Sequence, residues 1–285
     1  MNTFRHSNFP FYTTKQDIEL LFEMVRKSNY VAGNSDYKRK AENTKIEFAE
    51  NDNTVNAWAQ SFTTDLHGIT ILNGICNTSK VAAIALAYFK QYGEDAGGIG
   101  RLALCMRNIG HKIVENSYYF PISSIQEVIN EMEYDIDDTI TLEAKSYAAG
   151  GILSVIAHEQ GHICLSHTLR EVMSDETSRN DERQADLFGC NVSVTTPFGS
   201  HIVLATLFSE VVFAWMQGNN EIATTHPISR ERVYNTVNAH DVVLKTLGIT
   251  MDNIDWFLPP KDEEPVMKPN EEDEEVEEVE DCEDC

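Results

Sequence analysis

Residues 158–162 read His158-Glu159-Gln160-Gly161-His162, and twenty positions past the second histidine the chain reads Glu182-Arg183-Gln184-Ala185-Asp186. Positions i and i+4 share one face of an α-helix, so the two imidazoles can aim at one point. The stretch before them, Ile152-Leu153-Ser154-Val155-Ile156-Ala157, is apolar and predicts a buried helix rather than a solvated one. Burying a histidine and a glutamate is costly unless something pairs with them, and a metal ion would.

The remaining residues of the two stretches fit that chemistry. His158 and His162 supply two ligands, and a third from elsewhere would complete the open site of a hydrolytic zinc. Glu182 is placed to be that ligand. Glu159 lies one position round from the first ligand, where it can address a water on the metal. Asp186, four residues past Glu182, can accept the second N–H of a zinc-bound imidazole. The plain alternative for the second stretch is a charged, solvent-facing helix; taken together, the two stretches predict one zinc ion per chain and a zinc metallopeptidase.

The 285 residues can carry one large domain or two small ones. No run of about twenty uncharged apolar residues exists; Val81–Phe89 is short and His201–Gln217 carries Glu210 mid-run, so both predict core helices. Met1-Asn2-Thr3-Phe4-Arg5-His6 has no apolar stretch behind a basic start, so no signal peptide is expected and the protein is expected to be cytoplasmic. Six cysteines show no disulfide spacing, and Cys164 and Cys190 are expected as small core residues. The net charge is −24, of which Asp262 to Cys285 carries −13 through fourteen acidic side chains and one lysine. That segment predicts a disordered acidic tail over 262–285, solubilising or able to dock a basic partner. The charge argues against nucleic acid as a partner.

Along the chain, residues 16–30 have helical spacing, and 34–53 are polar, predicting loop with a short helix or strand. Residues 54–59 and 68–74 predict two short strands. Helices are expected over 80–92, 122–132, 141–167, 180–194, 201–217 and 227–247, with 101–140 otherwise ambiguous. Gly150-Gly151 marks a break or a close packing contact. The expected fold is α+β, mainly α: a zincin-like domain with a small β-sheet. Its expected limits are an N-terminal helical or loop segment over 1–53 and a peptidase domain over 54–250.

Four segments resemble the gluzincin metallopeptidases that include the CAAX prenyl endopeptidases, bacterial HtpX and mitochondrial Oma-type proteases. They are His158–His162 with His167 at the end of the same helix, Ser178–Asp186 (similar to S-R-x-x-E-x-x-A-D), Thr225-His226-Pro227 with Arg232, and Asn56-Ala57-Trp58-Ala59. The resemblance implies zinc on His158, His162 and Glu182, and Glu159 as general base. It implies His226 and Arg232 near the oxyanion, and Asn56 to Ala59 on an edge strand that pairs with an extended protein or peptide substrate. The long stretch from Gly74 to His158 implies an inserted helical segment near 93–145. ImmA/IrrE-type regulatory peptidases share the H-E-x-G-H helix and rank second. A peptidase fold that only binds a partner is a third reading, against which the intact Glu159 weighs.

Overall fold

The computed structural model describes residues 12–93, 98–170, 174–196, 200–218, 229–246 and 248–260. His226, Pro227 and the acidic segment 262–285 lie outside the described residues. The chain begins with α1 (Lys15–Lys27), α2 (Asn29–Ala32) and α3 (Ser35–Glu42). Thr14 and Asp17 cap α1 reciprocally, each side chain bonding the other's backbone N–H.

A three-stranded sheet follows, formed by β1 (Thr44–Ala49), β2 (Ala57–Thr63) and β3 (Leu66–Leu72) in the order β1-β3-β2. β1 runs parallel to β3 and β2 antiparallel to it, with Ala57 opposite Ile71 and Ala59 opposite Ile69. β2 is therefore an edge strand. The strand expected over 54–59 starts later, at Ala57, because Thr54 and Val55 pair instead with Tyr119 and Tyr118. The polar stretch 34–53 contains both a helix and the β1 strand. The segment before residue 54 is built into the rest: β1 lies in the sheet, and α1 packs on the helix that carries His158.

The helices continue with α4 (Asn73–Tyr92), α5 (Gly98–Glu115), α6 (Ile122–Glu131), α7 (Asp138–Cys164) and α8 (Asp175–Ser193). Then come α9 (Ser200–Gln217), α10 (Ser229–Ala239) and α11 (Asp241–Lys245). The result is mainly helical with one small sheet. Among the described residues no helix is long and apolar enough to cross a membrane.

α7 organises the interior. Asp137 caps it, its Oδ1 accepting from the Ile140 N–H at 2.8 Å, and Asp138 in the first turn suits the helix dipole. The first half of α7, Ile140 to Ala148, joins a core with α4, α5, α6 and α9; its second half, Ile152 to Cys164, joins one with α1, β3 and α8. Gly150-Gly151 does not break it. A Cβ on Gly150 would come within 3.2 Å of Ile202 Cα, and one on Gly151 within 3.3 Å of Ser79, so both glycines serve close packing. The helix ends at Cys164, short of His167. Ser166 takes a left-handed conformation (φ 65°) and turns the chain into a 3₁₀ turn, His167–Leu169. His167 is thus folded back beneath α7 rather than carried on it.

Candidate metal centre and cleft

Two helices supply groups that could bind a metal ion, and a glycine lets them approach. Gly161, inside the first motif, faces α8: a Cβ there would lie 3.1 Å from Phe188 Cβ and 3.2 Å from Ala185 Cα. Alanine would gain about 1 kcal/mol of helix propensity. It would lose about 1–3 kcal/mol by pressing α7 and α8 apart. Gly161→Ala is therefore expected to be destabilised by about 1 kcal/mol net, and to bind metal more weakly because Glu182 recedes. Urea denaturation and a metal titration check both effects.

With the helices at this distance, His158, His162 and Glu182 converge as a group that could hold a metal ion. The two imidazole Nε2 atoms are 3.1 Å apart. The Glu182 carboxylate straddles them, 3.3 Å from His158 Nε2 and 3.4 Å from His162 Nε2.

Each imidazole is held from behind. His158 Nδ1 lies 2.9 Å from Asp186 Oδ1, and the same oxygen accepts from Arg232 Nη2 at 2.6 Å. His162 Nδ1 lies 3.1 Å from His167 Nδ1. The far nitrogen of His167 faces Gln184 Oε1 at 3.4 Å and Asp181 Oδ1 at 3.5 Å. Asp181 is buried and gripped by Arg170 Nη1 at 2.6 and 2.5 Å. Sequence reasoning missed Arg170 and the back-folded His167 because both depend on the Ser166 turn.

The charges divide sharply. Burial works to lower the His158 pKa, but the carboxylates of Asp186 and Glu182 outweigh it and raise it to about 10. Burial, then the neighbouring positive His158, pushes His162 down to about 3. Burial also lowers His167, keeping it neutral.

Asn56 to Ala59 lie beside this centre, Ala57 opening β2. A cavity of about 370 Å³ extends from His158 and Glu159 past Asn56 and Ala57 towards α9 and α10, reaching Glu210 and Arg232. A second, also of about 370 Å³, runs along Trp58 and Ala59 past His162 to Asp181. Cys164 is buried as expected, whereas Cys190 is half-buried and lines the first cavity. Arg232 is brought to the centre through Asp186, and Glu159 lines both cavities. Behind β2, Ser61 Oγ meets Thr168 Oγ1 at 2.5 Å and His67 Nδ1 at 2.7 Å, tying the edge strand to the turn after α7.

A scan against protein-family models and searches of curated proteins and of solved structures each returned no match.

Proposed function

We propose that this protein is a zinc-dependent endopeptidase, similar in its chemistry to the gluzincins its motifs resemble. The observation that carries the reading is the meeting of His158, His162 and Glu182 with Glu159 alongside, at the edge of β2. Tetrahedral zinc with bonds of about 2.0–2.1 Å sets its ligand atoms about 3.3–3.4 Å apart. The distances of 3.1, 3.3 and 3.4 Å suit that ion. Three protein ligands leave one position open, as hydrolytic sites do.

The partners behind the imidazoles suit it too. An Nδ1–H of His158 donated to Asp186, and one of His162 donated to His167, leave both Nε2 lone pairs for the ion. Zinc, when bound, supplies Lewis acidity that makes water nucleophilic near neutral pH. Glu159 takes the proton from the attacking water and delivers it to the leaving amine. Arg232 holds Asp186, and through it the orientation of His158, and adds positive charge beside the site. An extended substrate lies along the free edge of β2 and bonds its backbone.

The test is digestion of a peptide library by the zinc-loaded protein. Cleavage that stops with a chelator and returns with zinc is expected, and intact peptides would overturn the reading. Metal uptake gives an independent check. In the metal-free protein His158 keeps its proton up to about pH 10. Binding must expel that proton, so at pH 7.5 about one proton should leave per ion, and affinity should rise with pH through neutrality. Calorimetry in buffers of different ionisation enthalpy counts the proton.

A further inference from the structure

The turn that ends α7 does not support itself. Ser166 holds a φ of 65° without being glycine, and such a conformation persists only where the surroundings impose it. The turn is also needed. On a continued α7, His167 would lie about 140° round the helix from His162, facing away from the ring that it now backs. The observed turn instead sets its Nδ1 3.1 Å from His162 Nδ1.

The hold on this turn comes from the start of the chain. Lys40, on α3, is buried, which is rare for a lysine whose charge is not paired. Its Nζ donates to the Cys164 carbonyl at 2.7 Å and to Ser166 Oγ at 2.8 Å, and it lies 3.0 Å from Asp36 Oδ2, one turn back on α3. These partners account for the three N–H groups of the ammonium. The Cys164 carbonyl is among the last of α7, which find no partner within the helix, and the helix dipole favours a cation beside them. One ammonium therefore closes the end of α7 and grips the residue that makes the turn. Further along, Ser61 holds Thr168 and Asp181 holds Arg170, so the segment is fastened on both sides of His167. Lys40 lies ahead of every segment that carries the family resemblance.

We propose that Lys40 is a positioning residue for the metal centre, holding the left-handed turn that sets His167 behind His162 and so fixing the His162 ring. The inference rests on the metal site of the function proposed above, and the test keeps the two apart. Zinc affinity is measured by chelator competition for the wild type, Lys40→Met, His167→Ala and the double variant. Lys40→Met should weaken zinc binding by about tenfold, the lower end of the loss expected when a contact behind a metal ligand is disturbed. In the His167→Ala background the same change should alter affinity by about twofold at most, because the link through which Lys40 acts is absent.

Equal weakening in both backgrounds would mean a general loosening of the fold. Unchanged affinity in Lys40→Met would mean that the turn stands without the lysine. Either result overturns the inference. Should Lys40→Met not fold, Ser166→Ala removes one of the two grips, and its smaller loss of affinity should show the same dependence on His167. A wild type that binds no zinc would overturn the peptidase reading and leave the lysine testable. In the metal-free protein the imidazole nitrogen shifts, read by NMR, report the pairing of His162 with His167. Shifts that move in Lys40→Met support its role, and shifts that stay overturn it.

Discussion

Glu159→Gln is expected to lower turnover by about a hundredfold to ten-thousandfold while the protein keeps one zinc per chain. The side chain lines both cavities and sits one residue from His158, yet belongs to neither the ligand set nor the pairs behind it. Glutamine has nearly the same volume and cannot take a proton, so the loss isolates general-base catalysis, whose usual worth is of that size. Steady-state cleavage rates and elemental analysis on one preparation decide it. Zinc retained with turnover within tenfold of wild type would place the base elsewhere.

Asp186→Ala should have the largest effect on the protein as a whole, because two groups depend on this one carboxylate. The largely buried Arg232 guanidinium would lose its ion pair with Asp186, and stranding such a charge costs about 3 kcal/mol. His158 would lose the acceptor that fixes its ring, and removing such a partner weakens metal binding by about ten- to a hundredfold. Urea denaturation of the metal-free protein measures the first effect, and competition with a chromophoric chelator measures the second. The double variant Asp186→Ala with Arg232→Leu should be more stable than the single one, since the stranded charge is gone. Equal stability would show that Arg232 finds another partner.

What could be read from the residues, and what could not, follows from where the information lies. The helix with two histidines is local: i, i+4 spacing and an apolar approach announce it, and α7 and α8 carry those motifs. The spacing of Leu102, Cys105, Met106, Ile109 and Ile113 is also helical, but the charged and glycine positions between them left 101–140 ambiguous. The ends of elements were least legible. Ser166 has no composition that demands a left-handed turn, so His167 was expected on the helix, and Thr54-Val55 found partners sixty-odd residues away rather than in the sheet. Glu210 stood out only as a charge inside an apolar run. That was a signal of a buried acid needing a reason, but its neighbours Thr236 and Arg232 come from another helix and no spacing rule links them.

The position of α7 between two cores bears on how long an ion stays. Moving His158 or His162 outward means pulling Ile152, Leu153, Ile156, Ala157 and Ile163 out of their core, on a helix whose other end is anchored in the second core, a costly opening. α8 is packed along one stripe, Ala185, Phe188, Gly189 and Val192, and its opening residues Ser174 to Glu176 are exposed. Glu182 therefore sits on the looser wall and is the detachable ligand. An ion held by this group is expected to leave by the lifting of α8, at a rate that hydrogen exchange along α8 would match.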